Sequence, residues 1–111
     1  MRVFLTAQAH RDIAAIKSYI AKNNPGVAER VAKRLYEQAD GLRKYPLKGT
    51  ALPAKFDIQT DLRIWIVSPN LILYRITEDK IIVTRVIDGR RDYLAAIGLA
   101  ERNENQDEDY T

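Results

Sequence analysis

The chain changes its hydrophobic period once, and that switch limits its fold more than any other feature. Between Ala9 and Leu42 apolar residues recur every three or four positions, while from Leu62 to Ile87 they crowd into short β-favouring runs. Ala9, Ile13, Ile16 and Ile20 form the stripe of a first helix, which Asn23-Asn24-Pro25-Gly26 stops. Asn24 is a good N-cap and Pro25 suits a first helical turn, so the same residues start a second helix. Its stripe is Val27, Val31, Leu35 and Leu42, flanked by Ala28, Ala32 and Ala39, and it is expected to end near Tyr45, before Pro46. Two helices with so short a connection form an antiparallel hairpin whose apolar faces need a sheet to cover.

Arg2-Val3-Phe4-Leu5-Thr6 reads as a first strand, with Thr6 or a near neighbour capping the first helix. Residues 46–60, with Pro46, Gly49, Pro53 and Thr60, have no clear period and are expected to be a loop. Leu62 to Val67, Leu71 to Ile76 and Lys80 to Ile87 are then strands, and the short breaks at Ser68-Pro69-Asn70 and Thr77-Glu78-Asp79 make them an antiparallel meander. The expected class is α+β, in the order β-α-α-β-β-β, with the helical hairpin packed on a small, mainly antiparallel sheet. Beyond Gly89, the residues from Arg90 are expected to turn helical as far as about Ile97, with Gly98 as a stop. One domain over residues 1–98 and an acidic, flexible tail over 99–111 complete the expectation.

Charge is unevenly spread. The formal net charge is +3, yet residues 101–111 hold five acids and one base, which leaves 17 bases against 10 acids, or +7, for residues 1–100. A basic body is the usual footprint of an acidic or polyanionic partner, although solvated lysines give the same number. The sequence has no cysteine, which excludes disulfides and thiolate metal sites. With one histidine, His10, no Gly-rich phosphate loop and no nucleophile elbow, neither a metal nor a cofactor is expected. The first residues are too sparsely apolar for a signal peptide and no run approaches a membrane span, so a cytoplasmic protein without a membrane partner is the expectation.

Strand parity divides the sheet into two faces. If the hairpin covers Leu62, Ile64, Tyr74 and Val86, the other side leaves Trp65, Leu73, Val83 and Ile87 near water, flanked by Arg63, Arg75 and Arg85. Tryptophan and arginine amid apolar residues have the composition of a binding surface, so Arg63, Trp65, Leu73, Arg75, Val83 and Arg85 are the candidate partner-binding set. Solvated arginines at strand ends are the other reading. Tyr19 and Tyr36, at helical positions, read as packing at the edge of the core, and His10 as a surface histidine.

Several of these segments together resemble a known family, the ParE/RelE superfamily of type II toxins, and its ParE branch more closely. The matching pieces are Leu5-Thr6 with Ala9, then Asp12-Ile13, Ile16 and Ser18-Tyr19-Ile20-Ala21, Asn24-Pro25 with Ala28, and Tyr45-Pro46 with Gly49. Leu62-Arg63, Leu71-Ile72-Leu73-Tyr74-Arg75-Ile76, and Ile81 to Arg91 with Asp92 complete the pattern over about residues 3–93. The resemblance implies a toxin that poisons DNA gyrase and is held in a complex by a cognate, ParD-like antitoxin. It implies that toxicity resides at the end of the last strand, on Arg90 and Arg91, followed by Asp92 and Tyr93. Where many relatives carry a histidine, this chain has Asp88. The alternatives are a ribosome-dependent mRNA endoribonuclease, with Arg85, Arg90, Arg91 and Tyr93 as charge clamps and acid, and a degenerate toxin acting only as an interaction module. For the nuclease, no His or Glu stands beside these residues to serve as a base.

Overall fold

The computed structural model describes residues 1–51 and 61–90. β1 (Arg2–Leu5) leads into α1 (Ala7–Ala21) and α2 (Pro25–Asp40), then a single 3-10 turn at Gly41–Arg43. β2 (Thr50–Ala51), β3 (Arg63–Val67), β4 (Asn70–Ile76) and β5 (Lys80–Asp88) follow. The expected helical segment after Arg90, the remainder of the 46–60 loop and the acidic tail lie outside the described residues.

Both helices start as their capping residues dictate. Thr6 accepts from the Ala9 amide at 3.1 Å, and Asn24 accepts from the Val27 amide at 3.1 Å with Pro25 opening the helix behind it. The Thr6 hydroxyl also donates to the Thr84 carbonyl at 2.9 Å, so one side chain both caps α1 and ties it to β5. α2 stops at Asp40, earlier than the apolar stripe implied. The chain tightens there into the 3-10 turn, which still delivers Leu42 to the core with no exposed surface.

The five strands lie in the order β1-β5-β4-β3-β2. β1 runs parallel to β5 and the other pairs are antiparallel, so the mainly antiparallel expectation holds. The short β2 lies within the segment expected to be only a loop, and it pairs Thr50 with Ile64 and Ala51 with Arg63. Two paired residues carry no period a sequence reader could find.

The core forms between the hairpin and one face of the sheet, where Ile13, Leu35 and Leu42 meet Ile72, Tyr74 and Val83. That face corrects the parity argument. Trp65 pairs with Ile72 and packs on the helix side, while Ile64 pairs with Leu73 on the side away from the helices. β5 keeps no single parity, because Tyr74 pairs with Val83 and its neighbour Leu73 with Arg85, which leaves Thr84 as the extra residue of a β-bulge. Thr84 is fully buried and satisfied, its hydroxyl donating to the Leu73 carbonyl at 3.2 Å and its own carbonyl accepting from Thr6. Both Val83 and Val86 consequently face the helices.

The second face is largely closed to water as well, although Ile66 on β3 is 60% exposed. Leu71, Leu73, Ile82 and Ile87, which lie outside the helix-side core, are each buried. Unbroken apolar runs are what strands buried on both faces show, and β4 and β5 have such runs. No helix among the described residues is long and apolar enough to cross a membrane.

Candidate interaction site at the exit of the last strand

β5 leaves the sheet through a turn that its own residues fix. Asp88 still pairs with Asn70 across the sheet, and the Gly89 amide donates to the Pro69 carbonyl at 2.8 Å. A Cβ at Gly89 would stand 2.9 Å from that carbonyl oxygen, so the close approach requires glycine. The Asp88 carboxylate then accepts from the Arg90 amide at 2.9 Å, a local turn that an aspartate side chain closes on the backbone two residues ahead. The same carboxylate takes Arg90 Nε at 2.9 Å and Nη2 at 2.7 Å. Arg90 is thus held at the surface, with 75% of its side chain exposed. The hydrogen bonds that Arg90 donates to Asp88, and then the carboxylate's charge, raise the guanidinium above its ordinary pKa, and the Tyr19 phenol acts in the same direction. Asp88 is thus an orienting group for Arg90.

Arg91, Asp92 and Tyr93, the remaining candidates for toxicity, lie outside the described residues. Arg85 does not join Arg90. It donates through Nε at 2.7 Å and Nη2 at 3.0 Å to Asp12 on α1, whose carboxylate also accepts from the Val86 amide at 2.9 Å and from Gln8 at 2.9 Å. Asp12 is 8% exposed and the Arg85 side chain 16%, so this pair is an internal tie between helix and strand. As one of the proposed nuclease charge clamps, Arg85 is already committed.

The candidate partner-binding set also divides. Leu73 and Val83 have no exposed surface, and they lie on opposite faces of the sheet. Arg63 donates to the carbonyls of Leu47 and Gly49, while its strand neighbour Tyr74 donates to the Pro46 carbonyl at 2.7 Å and accepts from the Gly49 amide at 3.0 Å. These two side chains clamp the connection between α2 and β2. Arg75 pairs with Asp61. Trp65 is half-buried, donating through Nε1 to Gln38 on α2 at 2.9 Å, with the Lys48 ammonium 4.3 Å from its ring centroid. The expectation of one exposed face bearing all six residues is therefore corrected. Parity says nothing about register between strands, and the bulge breaks it within β5.

His10 meets Tyr36 across the two helices, Nδ1 to Oη at 2.7 Å, and burial raises the Tyr36 phenol above its ordinary pKa. Tyr19 was expected at the core edge but is 72% exposed. Its signal was its place seven residues after Asp12, which puts it on the same helix face two turns on.

The family described as "ParE toxin of type II toxin-antitoxin system, parDE" matches residues 3–93. The chain belongs to the ParE toxin family. The match runs through β5 and the Arg90 turn into the undescribed residues beyond it. Among similar proteins, the toxin RelE2 of Caulobacter vibrioides is 32% identical over 85 residues, covering 77% of this chain and 91% of its own. The protein Y4kP of Sinorhizobium fredii is 34% identical over 83 residues, 75% of this chain and 83% of its own. In fold, the chain is similar to a solved structure of the chromosomal ParDE toxin–antitoxin system of P. aeruginosa, with a TM-score of 0.66 at 21% identity over 79% of this chain and 95% of that one.

Proposed function

We propose that this ParE-family protein arrests growth by binding and poisoning DNA gyrase, and that a ParD-like antitoxin holds it inactive until needed. The family match over residues 3–93 carries the reading. The Asp88–Arg90 turn supports it, because an inhibitor needs a preset cation on its surface and no acid–base pair. Arg90, with Arg91, Asp92 and Tyr93 beyond it, is the toxic element. Gyrase supercoiling assays with the purified chain should show loss of supercoiling, and replacing Arg90 and Arg91 together with alanine should abolish toxicity while leaving antitoxin affinity intact. A double variant that still kills would remove the site from these residues.

The similarity to a toxin named RelE2 favours a second reading, a ribosome-dependent mRNA endoribonuclease. Its mark would be codon-positioned cuts in a reporter mRNA on translating ribosomes, with supercoiling untouched. Silence in both assays would favour a degenerate toxin acting as an interaction module.

Antitoxin binding centres on Trp65 in this proposal. Lys48 lies over its ring, and Tyr45 and Leu47 in the same segment as Lys48 are 64% and 71% exposed. Trp65→Ala should weaken the complex by more than about 1 kcal/mol, read by titration calorimetry.

A further inference from the structure

We propose that the last turn of α1 and the exit of β5 form one docking site, in which Tyr19, Lys22 and Arg90 receive a carboxylate-bearing patch of a partner protein. The proposal rests on the reading that the β5 exit carries toxicity, and it adds a second element and a partner chemistry to that site.

The placement follows from how α1 travels along β5. Thr6 is bonded to the Thr84 carbonyl at 2.9 Å, and six residues later Asp12 is bonded to the Val86 amide at 2.9 Å, so helix and strand advance in the same direction. From Asp12 to Tyr19 the helix advances about 10 Å. From Val86 to Asp88 the strand advances about 7 Å before the Gly89–Arg90 turn. Tyr19 shares the helix face of Asp12, so it arrives beside the turn where Arg90 emerges. Lys22 closes the cluster, its ammonium 5.7 Å from the Tyr19 ring centroid. The direction in which the Tyr19 phenol acts on Arg90 agrees with this proximity.

The chemistry selects the occupant. Asp88 fills the Nε and Nη2 edge of Arg90, fixing the guanidinium and leaving the Nη1 edge outward for an oxygen pair. A tyrosine 72% exposed, beside a lysine and an oriented arginine, has the composition of residues that dominate protein–protein binding. Asp88 argues against nucleic acid. A duplex would press a phosphate charge about every 1.7 Å of its axis toward that carboxylate, whereas an isolated carboxylate can lie between Lys22 and the outer edge of Arg90 and avoid it. The +7 charge of residues 1–100 favours the approach of an acidic protein surface.

The test uses the full chain with Tyr19→Ala, Lys22→Glu and Arg90→Ala. Growth arrest on induced expression, inhibition of purified gyrase and thermal melting are read for each. All three variants should lower potency by about tenfold or more at unchanged melting temperature. If Arg90→Ala still arrests growth, the toxicity reading fails and the docking site fails with it. If Arg90→Ala is harmless but Tyr19→Ala and Lys22→Glu remain fully toxic, the α1 assignment alone is overturned. If growth arrest follows the expected order while purified gyrase is unaffected, the docking site stands and the gyrase reading falls. Retardation of a short duplex DNA by the parent chain, relieved by Lys22→Glu, would overturn the protein partner.

Discussion

Two arginines five residues apart, Arg85 on β5 and Arg90 just past its end, each pair with an aspartate, and the two pairs do opposite work. At mid-strand Arg85 and Asp12 are nearly closed to water, and the carboxylate accepts four hydrogen bonds, three of which join α1 to the sheet. At the exit Arg90 and Asp88 use the same Nε and Nη2 geometry, but the guanidinium stands in solvent. Burial, and not pairing, separates them. Taking one partner from the inner pair strands a charge and a backbone amide in the interior, whereas solvent takes over for a lost partner at the exit.

The contrast is most easily broken at Asp12. Asp12→Ala should destabilise the fold by about 3–5 kcal/mol in chemical denaturation, and a loss below about 1 kcal/mol would mean the inner pair is not a tie. Thr6→Ala comes next, at about 1–2 kcal/mol, because it removes both the α1 cap and the bond to the Thr84 carbonyl. Arg90→Ala is the smallest for stability, with a melting temperature matching the parent although toxicity is lost. A clear drop in melting temperature would show the exit pair to be structural after all. Added salt should sharpen the distinction, weakening inhibition of the target while the denaturation midpoint changes less, since screening acts on exposed charges.

The helices were legible because their signals are local. Asn24-Pro25 and the apolar stripes state where α2 starts and which side it buries, and the three later strands follow from β-favouring runs between turn residues. The roles of the arginines were not legible in the same way. Arg85 and Asp12 are separated by 73 positions, and nothing near either residue names the other. Trp65 and Arg63 were assigned to the wrong face because alternation is known within a strand and not between strands, and the resemblance singled out Arg90 without naming its pairing with Asp88 two residues before it. Tyr19 was misjudged because helical spacing gives the face of a residue but not where the neighbouring strand ends.

Thr84 is the spare residue that lets two stretches of β5 keep their own partners on β4. Taking it out would leave Arg85 opposite Leu73 and Val86 opposite Ile72, so the exit turn would keep its side of the sheet. What would go is a buried seam, since the Thr84 hydroxyl donates to the Leu73 carbonyl and its own carbonyl accepts from Thr6 at the start of α1. A deletion at this position should therefore loosen the first helix and lower the melting temperature while the Asp88–Arg90 turn stays in place.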